Sequence, residues 1–477
     1  MGFALRWFFI QSLALLLSGF LFVAVRADEP ATAVGSGAKA VEFASGGKFK
    51  MLYDCRQRPQ SVLIHSRLFI VYNGDAKPSK NDKGRAFPML ISYDLESRKF
   101  SDPVRLGEKD STDHHFSPIV WADESDHLHV LFGCHKTPGT HLISQQPIKA
   151  GATEIAWNKA AQIAPKSSYP TVFRISGDRE LIYYRTGGHT SSWTYRISED
   201  NGKTWIGPDH DVTDLDSKGR LDWSSYQNIL PSKNGKFLHV VFTDYDDNKN
   251  SPDPKRFFNP RYDELANNGW KYNLSYVKIN LQNHEVSNAE GTVLNTPIDI
   301  DYSKEHCEIW DTQWRGAGVP PSIALDENGN PSFLHVLSEN SLTEHQYYYV
   351  RQVGNDWKKT PITHSNHQWN SCCLSSGKDG QLHAFVVVGK GYLEGGYMDR
   401  HGGGRIEQWV SSDKGNTWTK RREVSPSSPD YRGWRFNNPQ PVVRPDGSTV
   451  DGLLLFYGWQ DQNAPAAIAF LLDELER

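Results

Sequence analysis

Sulfur is scarce in this 477-residue chain, which has five cysteines and four methionines. Cys55, Cys134, Cys307, Cys372 and Cys373 are too few and too irregularly spaced for a disulfide scaffold, and their odd number leaves at least one thiol free, metal-bound or paired outside the chain. Cys372 and Cys373 are adjacent, a poor geometry for pairing with each other. No close-spaced pair of the C-x-x-C or H-x-x-x-H kind is present, so no compact zinc motif stands in the sequence. Charge of one sign is also lacking. The formal net charge is −4, whereas a nucleic-acid binder is expected to be strongly basic. A local cluster of Arg and His can still hold an anion at that net charge. Convincing amphipathic helical periodicity is missing throughout, and past the N-terminus no apolar run is long enough to span a membrane.

The N-terminal apolar run has the form of an export signal. Arg6 precedes Trp7-Phe-Phe-Ile and Leu13-Ala-Leu-Leu-Leu, and the run closes at Val25-Arg26-Ala27, a small-residue cleavage site. Residues 1–27 are therefore expected to be a signal peptide, and the mature protein to be secreted or periplasmic. No cysteine follows the run to carry a lipid anchor. Residues 28–48 are expected to form a flexible segment, and 49–477 a single catalytic domain.

Aromatic residues are plentiful at 12%, alongside 39 Gly and 26 Pro, which points to many short strands separated by turns. One unit recurs: a proline or polar residue, an apolar strand, a Gly/Asp turn and a second apolar strand. Copies begin near Ser61, Pro118, Pro170, Gln227, Pro321, Ser371 and Pro441, about 50 to 60 residues apart where nothing is inserted. That spacing suits one four-stranded blade per repeat. The seven copies predict an all-β, seven-bladed β-propeller. Polar insertions near 245–270 and 285–318 are expected to be loops over one face. Ser198-Glu-Asp200-Asn-Gly202-Lys-Thr-Trp205 and Ser411-Ser-Asp413-Lys-Gly415-Asn-Thr-Trp418 both fit S-x-D-x-G-x-T-W, the Asp-box, which staples a blade turn away from a catalytic face.

Two stretches carry the chemistry. Asp113-His114-His115-Phe116-Ser117-Pro118 and Gly133-Cys134-His135 flank one hairpin, with strands at Ile119-Val-Trp and Leu128-His-Val-Leu-Phe. Residues before the first strand and after the second lie at the same rim, so His114 or His115 should meet His135. In the next repeat Tyr169-Pro170 and Arg185 hold the corresponding positions. Two histidines, a tyrosine and an arginine at one rim suit proton transfer beside an anion.

With these motifs the chain resembles the bacterial neuraminidase repeat superfamily and, more narrowly, the propeller-type ulvan lyases, which cut a sulfated algal polysaccharide. The resemblance runs from about residue 50 to 470. It rests on the Asp-His-x-x-x-Pro stretch, Gly-Cys-His135, Tyr169-Pro170, and Arg185 with Gly187-Gly188. It implies a catalytic groove holding His114 or His115, His135, Tyr169 and Arg185. The implied partner is an anionic polysaccharide, with no nucleic acid, no membrane once the signal is removed, a monomeric state, and no cofactor in catalysis. Related lyases can carry a structural metal, and a zinc here would fall on His189 and Cys307, with His306.

The chemistry stands on its own terms. β-Elimination of a 4-linked uronate removes the proton on C5 beside a carboxylate, which is feasible only if the carboxylate charge is neutralised. Arg185 offers a permanently charged bidentate partner, while a neutral histidine or a tyrosine can take the C5 proton and another can donate to the leaving O4.

Arg256 and Arg261, in Arg256-Phe-Phe-Asn-Pro-Arg261-Tyr262, together with Tyr245 and Trp223, are candidate substrate contacts. Tyr226, Trp314, Trp434 and Trp459 could also stack on sugars. His127, His129, His239, His335 and His383 recur in turns and second strands and are expected to pack. A sialidase-like hydrolase is the first alternative; it would need a rim carboxylate pair, for which Asp113 and Asp244 are the candidates, and Phe173-Arg-Ile-Ser176 only partly echoes a sialidase motif. A non-catalytic, lectin-like propeller is the second.

Overall fold

The recurring strand–turn–strand units fold as antiparallel sheets, because short β-branched and aromatic runs interrupted by Gly and Asp turns reverse after each hairpin. A computed structural model of the chain describes residues 40–47, 51–74, 85–149, 154–214, 223–246, 256–267, 269–377, 380–391, 401–460 and 467–474; the expected signal peptide lies outside the described residues. The first sheet is Ser61–Ile64, Arg67–Gly74 and Phe87–Asp94, with Lys99–Phe100 and Val104–Arg105 both pairing to the last of these. Ile119–Ala122, Leu128–Phe132, Thr140–Ser144 and Trp157–Lys159 make the next. Ser167–Ser176, Arg179–Arg185 and Trp193–Ser198 follow, with His135–Thr137 on the free side of Ser167–Ser176. Sheets starting at Trp223–Pro231, Ser322–Leu325 and Cys372–Ser376 come next.

The last sheet draws on both ends of the chain. Arg435–Val443, Thr449–Trp459 and Ala467–Asp473 are completed by Ala40–Gly47, antiparallel to Ala467–Asp473. Residues 40–47 are therefore a strand, not the flexible segment expected for 28–48. Two glycines and two alanines hide a strand whose Phe43 stacks on Phe100 at 5.5 Å and meets Tyr72 edge-on at 6.0 Å. The first strands of successive sheets are neighbours all the way round, and the last lies beside the first through the parallel pair Val62 and Val443. The fold is all-β and propeller-like.

Apolar side chains fill the gaps between sheets. Val62, Leu90, Val120 and Val130 seal the first to the second, and Trp121, Val172, Ile182 and Trp205 the second to the third. Each such side chain contributes roughly 1.5–3 kcal/mol by leaving water.

The insertions carry more structure than expected of loops. Arg256–Asn259 and Glu264–Asn267 pair as a small hairpin, Ile300–His306 is a helix capped by Asp299, and Glu308–Trp310 and Gly316–Ala317 pair with Lys271–Asn280. Polarity was a poor guide here, because one pairing edge and one capping residue suffice for such short elements.

Both Asp-boxes follow the third strand of their sheets. Asp200 accepts from the Thr204 N–H at 2.8 Å and its hydroxyl at 2.7 Å, and Asp413 does the same with Thr417 at 2.9 and 2.7 Å. Gly415 has φ of 82° and packs against Tyr349 so closely that a Cβ would overlap the ring, which explains the glycine.

Candidate active site

Asp113 caps the short turn His114–Phe116, accepting from the His115 N–H at 3.0 Å. The cap leaves its carboxylate between two imidazoles. One oxygen also contacts Nδ1 of His115, and the other accepts from Nδ1 of His135 at 2.8 Å. A carboxylate only accepts, so both rings carry a proton on Nδ1, which leaves Nε2 as the acceptor in a neutral imidazole. Their centroids are 4.3 Å apart, and the Tyr169 ring meets His115 edge-on at 5.3 Å. The side chains of His115 and His135 keep 20% and 17% exposure, so both rings are open to solvent.

His114 packs on His115 with ring centroids 3.9 Å apart but makes different polar contacts. Its Nε2 lies 3.0 Å from Nη2 of Arg56 and 3.5 Å from the buried carboxylate of Asp54, which itself grips Arg56 through two bonds of 2.7 and 2.6 Å. The polar contacts thus distinguish the adjacent histidines: His115 bonds to Asp113 beside His135 and Tyr169, and His114 joins an ion pair.

Burial holds His115 below the ordinary imidazole range, only partly offset by its bond to Asp113; His114 is pushed down further, by burial and then by His115. For Asp113, burial alone would raise the carboxyl, but hydrogen bonds from His115 and His135 outweigh it and hold the group ionised well below the usual range.

Tyr169 sits in an irregularity of Ser167–Ser176, where pairing to Arg179–Arg185 shifts between Ser168 and Thr171, and its φ is 55°. A left-handed, non-glycine residue in a bulge re-aims its side chain at a local energetic cost. The ring points inward, almost fully buried, with its hydroxyl 3.1 Å from that of Tyr226. Burial, then the neighbouring Tyr226, raises its pKa well above the free phenol, against the pull of Arg56 and Arg185. Tyr169 therefore holds its proton.

Three cations surround these tyrosines. Arg56 lies 5.0 Å and Arg185 4.7 Å from the Tyr169 centroid, and Lys271 lies 4.5 Å from that of Tyr226. Lys271 is buried, donates to the carbonyls of Gly269 and Gly318, and is pushed well below the usual amine range by burial, then by Arg56. Arg185 is fully buried, and none of its three guanidinium nitrogens has a hydrogen-bond partner among the described residues. A desolvated guanidinium left unsatisfied costs more than the roughly 1–3 kcal/mol of a neutral group, so an incoming anion would find it poised.

The remaining expectations divide. Tyr245 belongs to the same cluster, edge-on to Tyr226 at 5.3 Å and 5.0 Å from Lys271. Arg261 is exposed on the small hairpin, 5.8 Å from the Tyr262 ring. Trp223 and Arg256 are placed by backbone only, in Trp223–Pro231 and Arg256–Asn259; their side chains lie outside the described residues. Trp459 is buried under Arg435 and unable to stack on a sugar. Of the two carboxylates a hydrolase would require, Asp113 is committed to the imidazoles and Asp244 is buried, accepting from Asn273 at 2.9 Å.

The zinc set expected at His189, His306 and Cys307 is not brought together. His189 packs 5.6 Å from Tyr245 and is pushed down to about 3 by burial and then by Arg185. Cys307 ends the helix in an apolar cluster, its thiol pushed up to about 12 by burial, while His306 packs on Tyr302. These residues do not fit a shared metal. Among the described residues, only Asp54–His114–His115 and Asp113–His115–His135 bring three potential ligand atoms within 4.8 Å of one another.

Sequence reasoning missed Asp54, Arg56 and Lys271. Asp54 and Arg56 precede the first repeat, and Lys271 sits in a third strand beyond an insertion, so no repeat position flagged them.

The chain is 21% identical over 402 residues to an ulvan lyase of Nonlabens ulvanivorans, covering 77% of this chain and 76% of that protein. It is 23% identical to the PL25 ulvan lyase of Pseudoalteromonas sp. (strain PLSV), over 63% of each chain. Among solved structures, a PL25 ulvan lyase bound to -[GlcA(1-4)Rha3S]- superposes with a TM-score of 0.67 at 17% identity, over 90% of this chain and 95% of that one. The polysaccharide lyase Uly1 gives 0.57 at 12%, over 87% and 90%. These likenesses show a shared fold. Residues 83–365, more than half of the chain, match the model of the BNR repeat-containing family, and the chain belongs to that family.

Proposed function

We propose that this protein is a polysaccharide lyase that cleaves a sulfated, uronate-containing polymer of the ulvan kind by β-elimination. The observation that carries the reading is one carboxylate, Asp113, fixing two imidazoles through Nδ1 beside a protonated tyrosine and an unsatisfied guanidinium. The ulvan lyase relatives support the substrate class.

In this reaction the uronate carboxylate is neutralised by Arg185. That guanidinium is capped by Tyr169, so the bulged tyrosine shifts as the sugar seats. Nε2 of His115 or His135 takes the C5 proton; the electron pair forms the C4–C5 double bond, the C4–O4 bond breaks, and the Tyr169 hydroxyl protonates the departing oxygen. General acid–base catalysis of this kind contributes about 10²–10⁴ in rate. Tyr245, edge-on to Tyr226 and near Lys271, is assigned to substrate contact in the same cluster. All proton transfers are assigned to side chains.

Two finer readings belong to the same proposal. A count of seven blades is supported by the seven first strands that follow one another round the ring. Export from the cytoplasm is supported by the apolar N-terminal run and its Ala27 cleavage site.

Incubation of purified protein with ulvan, other uronate polymers and neutral glucans, followed by ultraviolet absorbance of the conjugated double bond, tests the reading. Growth of that band with ulvan alone is expected. Reducing ends released without it would mean a hydrolase, and binding without either a lectin. The hydrolase is disfavoured by the engagement of Asp113 and Asp244.

A further inference from the structure

A cavity of about 920 Å³ enters the ring from the rim opposite the histidines. Chain order gives the direction: Tyr169 and Tyr226 lie near the starts of their strands, whereas the cavity is lined by the far ends, at Ile175, Leu230 and Val443, and by the turns beyond. Its inner end is the segment 54–60. There Asp54 and Arg56 serve the histidine side, and Cys55 and Arg58 line the cavity.

Arg58 is firmly mounted. Its N–H donates to the Pro170 carbonyl at 3.1 Å, and its own carbonyl accepts from Val172 at 3.1 Å. The guanidinium Nη2 donates to Oδ1 of Asn228 at 2.8 Å, while the buried Nε has no hydrogen-bond partner. No carboxylate pairs with it among the described residues, and burial pushes its pKa down to about 10. Two of the acids at the mouth are engaged locally: Asp326 accepts from the N–H groups of Asn328 and Asn330 at 2.9 and 2.8 Å, and Asp446 from Ser448 at 2.9 Å. Phe173, Ile323 and Leu374 supply apolar wall. A concave chamber with apolar side chains in its wall and one cation lacking a counter-ion at its depth is how small-ligand sites are built, and the volume is in their usual range.

We propose that this central cavity binds a small organic anion whose carboxylate or sulfate group is held by Arg58. The site is independent of the lyase reading, since it opens on the other rim and uses none of the groups assigned to the reaction. Charge-assisted bonds to a desolvated guanidinium fix the anion, and the apolar wall selects a molecule with a carbon skeleton over a bare ion.

Calorimetric titration of the full chain with glucuronate, inorganic sulfate and glucose tests this. A saturable glucuronate site that persists in Arg185→Met, where the groove's carboxylate partner is gone, and that is weakened about tenfold or more by adding Arg58→Gln, is expected. Glucose should not bind. Sulfate binding as tightly as glucuronate would assign the site to the oxyanion alone; weaker sulfate binding would assign it to the acidic molecule as a whole. Selenate soaked into wild-type crystals, located by anomalous scattering beside Arg58, would support the site even if Arg58→Gln fails to fold. No saturable binding of either anion, equal binding of glucose, or binding indifferent to Arg58→Gln would overturn the proposal, as would selenate absent from Arg58.

Discussion

The Arg185 guanidinium lies 4.7 Å from the centre of the Tyr169 ring, although the residue paired with Arg185 in the sheet is Ser168. The shift in pairing after Ser168 is what turns Tyr169 over its neighbour's partner. Arginine and tyrosine thus form one unit, charge beneath and proton above, and in the proposed reaction a substrate carboxylate reaches the first by displacing the second.

Replacing Arg185 by Met keeps the volume and removes an unsatisfied buried charge. Thermal stability is expected to hold or rise, because a buried cation without a partner is costly. Rate should nevertheless fall by about 10²–10³, the scale for removing one electrostatic stabiliser. Melting curves and initial rates on the same preparation check both. A variant less stable but fully active would place Arg185 in the scaffold alone.

Tyr169→Phe retains the ring over Arg185 and deletes the hydroxyl. The fold should persist, and the rate should drop by about 10²–10⁴ through loss of the proton donor. Leaving-group assistance sharpens the test: a model uronate with a good leaving group at C4 should be cleaved by the variant almost as fast as by wild type.

Asp113→Asn still caps the turn, since Asn is as good a cap as Asp. An amide, however, accepts on one side and donates on the other, so one histidine must reverse its tautomer and lose its accepting Nε2. A rate loss of about 10²–10⁴ with a displaced pH profile is expected. An unaltered pH–rate curve would show that the carboxylate does not set the proton positions.

Acid should destabilise the fold in a defined window. His114, His115 and His129 are held by burial below the free imidazole; His239 is pushed down to about 4, and His141, His189, His335 and His345 to about 3. Below a pH of about 6.5 the unfolded chain therefore binds more protons than the folded one, and stability falls as pH drops toward those folded values. Asp54 and Asp113, both held down in the fold, add to the loss below a pH of about 3.9. Urea midpoints across the series should decline steadily, and a midpoint unchanged from neutrality to a pH of about 4 would contradict this.

Much of the fold was legible because each repeat carries its own strands and turns. Copies expected near Ser61, Pro118, Ser371 and Pro441 coincide with first strands at Ser61–Ile64, Ile119–Ala122, Cys372–Ser376 and Arg435–Val443. The packing role of His129 and His239 was equally readable: both are buried, in contact with His141 and with the Tyr276 hydroxyl. Hairpin geometry also brought His115, His135, Tyr169 and Arg185 to one rim. What escaped were contacts between distant repeats. Nothing local marks Arg56 as the partner of Tyr169, or separates the two histidines that follow Asp113, because both outcomes depend on how first strands converge at the centre. Ala40–Gly47 escaped for a related reason, as its pairing edge lies more than 400 residues away.

Mass analysis of the products of one defined uronate oligosaccharide tests the central claim most directly. Elimination adds nothing, so the masses of each product pair should sum to the mass of the parent, with the double bond on the fragment that keeps the parent's reducing end, at its new non-reducing terminus. Product pairs that sum to the parent plus one water would contradict the account and make the protein a hydrolase.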